Sequence, residues 1–180
     1  MLIAKEKKRE NIAEYLLYMW QIEDIIRANG LNIDKIRQNI IDRYECSDEI
    51  KMEMTSWYGN LIEMMRSEGI VETGHLQINN NVISELSDLH SALLNSTQIP
   101  QYGGVFFKAL PYIVELRKRQ GECPPGEIET CFNALYGILL LKLSAKEISS
   151  GTQEAMKYIS TFVSVLAAMY KKDKNGELEL

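Results

Sequence analysis

Apolar residues recur at helical spacing along the whole chain, and Ile78, Val82, Leu86, Leu89 and Leu93 show it most plainly. Their steps of 4, 4, 3 and 4 place all five on one stripe of an α-helix, whereas a strand, with its period of two, would divide them between both faces. Comparable stripes run through seven segments, and no strand pattern, internal repeat or low-complexity linker interrupts them. The expected fold is therefore all-α. No connection is long enough to separate domains, so residues 1–172 are expected to form one compact domain of about seven helices, a bundle or orthogonal array, followed by a polar tail at 173–180.

The first segment, about residues 5–29, is apolar over more than half its circumference: Ile12, Leu16, Met19 and Ile26 lie on one line and Tyr15, Tyr18, Ile22 and Ile25 on the next. A helix so coated is expected to be central, and Gly30 to stop it. Asn32 is placed as the cap of the second, with Leu31 and Ile36 spaced as a hydrophobic staple and Ile33, Ile36, Ile40 and Tyr44 inward. Ser47 caps the third, whose stripe is Ile50, Met54, Trp57, Leu61 and Met64. The fourth carries the stripe at 78–93, and the fifth, near 105–120, contains Pro111, which predicts a kink or a fresh start. The sixth follows Pro124, Pro125 and Gly126; it is apolar almost all round from Cys131 to Leu141 and is expected to be the most enclosed. The seventh starts with Ser150 and Gln153 at capping-box spacing and turns Met156, Ile159, Val163, Leu166 and Tyr170 inward, before a frayed end at 171–180.

Composition narrows the classes. Cys46, Cys123 and Cys131 leave one thiol over and show no C-x-x-C spacing, which argues against both a disulfide framework and a zinc site. The start of the chain turns charged at Lys5 without a signal-peptide core, and the apolar run 134–141 falls well short of the ~20 residues that span a bilayer. These features predict a soluble cytoplasmic protein with no membrane partner. Against 25 acidic residues there are 20 basic ones, a net charge of −5. The basic clusters at 5–9, 117–119 and 171–174 lie near helix ends as ordinary solvated surface, so no nucleic-acid partner is expected.

Four stretches carry a family resemblance: Asn11 to Asp24 (NIAEYLLYMWQIED), Gly74 to Asn79 (GHLQIN), Ala109 to Arg117 (ALPYIVELR) and Ile128 to Gly137 (IETCFNALYG). They reach from near the first residue to the last helix, and the chain resembles a family of short helical proteins from the Bacteroidetes, a domain of unknown function. The resemblance implies a cytoplasmic bacterial protein. It brings no assigned activity and no functional residues to carry over.

Catalytic and metal chemistry find little to work with. A di-metal helical site needs two inward Glu-x-x-His pairs, and the one such spacing, Glu72 to His75, falls in a turn. His90 reads as a hydrogen-bonded boundary residue and lacks the Lys-Gly pair expected after a phosphotransfer histidine. Cys46 precedes a helix start but has no base in view, and Cys131 reads as a packing residue. No catalytic residue, metal ligand or cofactor is assigned. Harder to dismiss are polar residues on apolar faces: Glu23 in the first segment, and Glu129, Asn133 and Tyr136 along the sixth. A buried carboxylate is costly unless it finds donors, so these four are the candidate ligand-binding residues, with a structural network as the plainer reading. Asn133 and Tyr136 are the expected donors, and Arg27 or Arg117 the expected charge partner. The first functional reading is a non-enzymatic helical interaction or regulatory protein, binding another protein or itself. The second is a small-ligand-binding bundle with those four residues near its site, and an enzyme comes third.

Overall fold

The computed structural model describes the backbone of residues 2–180 and the side chains of residues 3–180. Among these residues eight α-helices follow one another: α1 (Leu2–Glu10), α2 (Ile12–Ala28), α3 (Ile33–Asn39), α4 (Asp48–Ser67), α5 (Gln77–Asn95), α6 (Pro100–Lys118), α7 (Glu127–Leu143) and α8 (Ser150–Lys174). One turn of 3-10 helix, Ile41–Arg43, lies between α3 and α4, and no strand occurs among the described residues. The fold is all-α.

The single long helix expected at the start is in fact two. Asn11 divides them, because its side-chain oxygen accepts from Ala13 N–H at 3.0 Å and so caps a new helix. Apolar spacing is blind to such a break. At the other end of α2, Gly30 takes φ 66°. There its N–H donates to the Arg27 carbonyl at 2.9 Å and the Leu31 N–H to that of Ile26 at 3.0 Å, the paired bonds of a Schellman motif.

Contacts gather the chain into two compact units, one of residues 2–9 and 14–81, the other of residues 10–13 and 82–180. In the first, Leu16, Met19, Trp20, Ile22 and Ile26 of α2 are buried, as are Ile36 of α3 and Ile41 of the 3-10 turn. Asn32 caps α3 as its position suggested, accepting from the N–H groups of Asp34 and Lys35. The inward face of that segment differs from the expected one. The helix stops at Asn39, the tighter turn that follows swings Ile41 inward, and Tyr44 is left exposed. On α4 the buried line is Met54, Tyr58, Leu61, Ile62 and Met65, with Ile50 exposed. A heptad line drifts about 20° per repeat around a straight helix, so the expected stripe leaves the interior over the 20 residues of α4.

In the second unit α6, α7 and α8 each pack against the other two. Val82, Leu86, Leu89 and Leu93 of α5 are buried as their spacing requires, whereas Ile78, in the first turn, is exposed. α6 runs unbroken through Pro111, because the proline stands on the helix's outer face. α7 is not the enclosed element its composition suggests: Ile128, Cys131 and Phe132 are buried, and from residue 134 to 143 no side chain is. The α8 cap is Ser149, one residue before the expected position, with its hydroxyl accepting from Thr152 N–H. This helix continues to Lys174, past the expected fraying point at 171, and ion pairs fasten its end: Lys171 to Glu10 at 3.0 Å and Lys174 to Glu85 at 2.9 Å.

The three cysteines are free thiols. Burial pushes the Cys131 thiol up to about 12, which leaves it inert as a nucleophile and consistent with a packing role. Among the described residues no helix is long and apolar enough to cross a membrane.

Candidate functional site

Glu23, in the first unit, is wholly buried on α2. Its donors come from the turn before α5 and from that helix's first turn, in place of the expected Asn133 and Tyr136. One carboxylate oxygen accepts from Leu76 N–H at 3.0 Å and from the Asn79 side-chain amide at 2.6 Å. The other lies 2.6 Å from His75 Nδ1. The first backbone N–H groups of a helix have no partner within it, and the carboxylate supplies one in their positive field. Glu68 does the same for Gln77 N–H at 2.7 Å. Two carboxylates from α2 and the end of α4 therefore cap α5 from outside.

His75 closes the arrangement. Its ring stacks on Trp20 with centroids 4.0 Å apart and planes 11° apart, and its side chain is 27% exposed. A carboxylate at Nδ1 fixes the imidazole, as one commonly does for metal-ligand and general-base histidines. Among the described residues no group of three or more His, Cys, Asp or Glu side chains could hold a metal ion. Arg27, one of the expected charge partners, braces the same turn by donating to the carbonyls of Ile70 and Gly74 while it pairs with Asp24. The cluster ties α2 to the turn 70–76 and leaves two buried atoms, Asn79 Oδ1 and Arg27 Nε, without a hydrogen-bond partner.

A cleft of about 500 Å³ opens beside that turn, with Arg27, Leu31, Arg66 and Glu72 in its wall. Arg66 is committed to Glu63 and to the Leu31 carbonyl, whereas Arg27 keeps a buried Nε without a hydrogen-bond partner. The other three candidates, Glu129, Asn133 and Tyr136, belong to the second unit, where they are half-buried on one line of α7.

His90 sits among aromatic rings in the second unit. It lies 2.6 Å from the Tyr102 hydroxyl through Nδ1, and the Phe106 and Phe162 rings meet it edge-on at 4.6 and 5.4 Å. Its Nε2 is 3.7 Å from Glu127, too far for a hydrogen bond. Burial lowers the His90 pKa below its ordinary 6.5, against a smaller upward pull from Glu127. A lowered folded pKa means that the unfolded chain takes up the proton first as pH falls. Stability is then fully present above 6.5 and declines below it, by at most about 1.4 kcal/mol per pH unit for one proton. Thermal melts from pH 7.5 to 5.5 are expected to show a shallower decline in His90→Gln than in the wild type, and equal slopes would refute the assignment.

α6 presents two apolar faces. Tyr102, Phe106, Ala109 and Ile113 point into the second unit, and Pro100, Gly104, Phe107, Pro111 and Val114 point out. All five of the outer set are exposed, Phe107 by 62% and Val114 by 39%. Their steps of 4, 3, 4 and 3 are those of a helix–helix seam. Phe107 and Val114 are the large apolar side chains on this line, seven residues apart, and two prolines and a glycine complete it.

These observations define an all-helical protein with a buried polar cluster around Glu23 in one unit and an exposed line of Pro, Gly, Phe and Val on α6 in the other. The chain belongs to the family described as a domain of unknown function (DUF4924), whose model matches residues 1–177. No curated protein and no solved structure is similar to it at a significant level.

Proposed function

We propose that this is a non-enzymatic interaction protein of the bacterial cytoplasm which docks a helix of its partner along the outer face of α6. The exposed seam from Pro100 to Val114 is the observation that carries the reading. Two residues in it are poor choices for a helix that meets only water. Pro111 removes a backbone donor from the helix interior, and Gly104 costs about 0.5–1 kcal/mol relative to alanine. A Cβ on Gly104 would meet nothing within 4 Å, so packing inside the chain does not call for glycine there. A bare backbone on an apolar face suits the close approach of another helix. Three free cysteines fit a reducing compartment, and the net charge of −5 fits a protein partner better than a nucleic acid.

A photo-crosslinking amino acid in place of Phe107, in the full chain inside the cell, tests the reading, with the same group in place of exposed Lys172 as control. A discrete adduct from position 107 alone, lost when Val114→Glu is added, is expected. Identical adduct patterns from both positions would overturn it.

A further inference from the structure

We propose that the partner helix is the α6 of a second copy of this chain, packed antiparallel to give a two-fold dimer. The inference rests on the interaction reading above and names its partner. An isologous contact requires a patch that complements itself, so that each residue's partner also makes the reciprocal contact. The α6 seam has that property in its shape and in its charges.

With Gly104 and Pro111 at one seam position of the heptad and Pro100, Phe107 and Val114 at the other, the flanks follow from the spacing. Gln101, Lys108 and Glu115 lie along one edge, and Gly103, Leu110 and Arg117 along the other. In a parallel pair each edge meets the opposite kind of edge, which sets Lys108 against Gly103 and Glu115 against Leu110, with no charge matched. In an antiparallel pair each edge meets its own kind. Lys108 of one copy then faces Glu115 of the other, and the two-fold axis makes the contact twice, on either side of Pro111. In the same register Val114 of one copy crosses the seam beside Pro111 of the other, and Phe107 crosses beside Val114, so the seam stays apolar on both sides of the axis.

Inside one chain Glu115 pairs with Arg119 on the same exposed helix face. An exposed pair of this kind contributes little and leaves the carboxylate open to exchange partners. The seam occupies 15 residues of one helix, fewer than a standard interface of about 800 Å² per partner draws on, so the dimer is reversible and depends on concentration.

Sedimentation equilibrium of the full chain over a wide concentration range tests this, with circular dichroism confirming that each variant stays helical. The wild type is expected to show a monomer–dimer equilibrium, and Phe107→Glu to be monomeric throughout. Lys108→Glu, which sets two carboxylates against each other at both ends, is expected to raise the dissociation constant by on the order of tenfold. Adding Glu115→Lys exchanges the charges and is expected to restore it. A wild type that stays monomeric, or a Lys108→Glu defect that Glu115→Lys does not repair, would overturn the antiparallel dimer. The crosslink at position 107 separates this failure from that of the interaction reading: an adduct with a different protein keeps the reading and removes the dimer, and the absence of a position-specific adduct removes both.

Discussion

Glu23→Ala is expected to lower the free energy of unfolding by about 3–5 kcal/mol, the loss that follows when one partner of a buried charged network is removed. Glu23 is wholly buried and serves three donors at once: the Leu76 backbone, the Asn79 amide and His75. With the carboxylate gone, the Leu76 and Asn79 groups stay buried without an acceptor, each costing about 1–3 kcal/mol, and α5 loses an external cap. His75→Ala should cost less, because the ring is partly exposed and Glu23 keeps two of its donors. Glu23→Gln should fall between the two, since an amide offers one acceptor where the carboxylate offered two. Denaturant melts of the three variants check the order. A Glu23→Ala loss below about 1 kcal/mol, or a His75→Ala loss that equals it, would show that the cluster does not carry this part of the fold.

Leu86→Ala is expected to cost about 2–5 kcal/mol, the range for an aliphatic truncation in a core that cannot fully collapse onto the space left. Leu86 is 1% exposed, and Val82, Leu89 and Leu93 of the same stripe are buried with it. The matched change at exposed Lys172 should stay within about 0.5 kcal/mol. If both variants unfold at the wild-type denaturant concentration, the stripe of α5 is not core.

Helix existence was legible throughout, because a period near 3.6 shows in any run long enough to repeat it. The caps at Asn32 and Ser47 were legible too, since the side chain that ends the orphan N–H groups stands next to them in sequence. The break at Asn11 was not, for the apolar lines run through it without change of phase. Nor was the correct face of α4, where two neighbouring apolar lines satisfy the same pattern.

The Glu23 site was half legible. A carboxylate on an apolar helix face announces that donors must come to it, but not from where. His75 and Asn79 lie more than 50 residues away in the chain. One signal was available: Asn79 is three residues before Val82 and seven before Leu86, on the inner line of α5, and a polar residue there must also find a partner.

α6 shows most clearly where local sequence stops and tertiary structure begins. Its residues dictate a helix with an apolar line at Tyr102, Phe106, Ala109 and Ile113 and a second at Pro100, Gly104, Phe107, Pro111 and Val114. Helical spacing determines that both lines exist and which residues share each. Which line becomes core is decided by α7 and α8 closing over one of them, a contact between distant segments that no local pattern encodes. The sequence by itself therefore determined the helical segments, the caps at Asn32 and Ser47 and the need for buried donors at Glu23. Only the tertiary structure decided which apolar face met the core, which was left to water, and which backbone and side-chain groups came to the buried carboxylate, because each depends on the free energy of packing segments far apart in the chain.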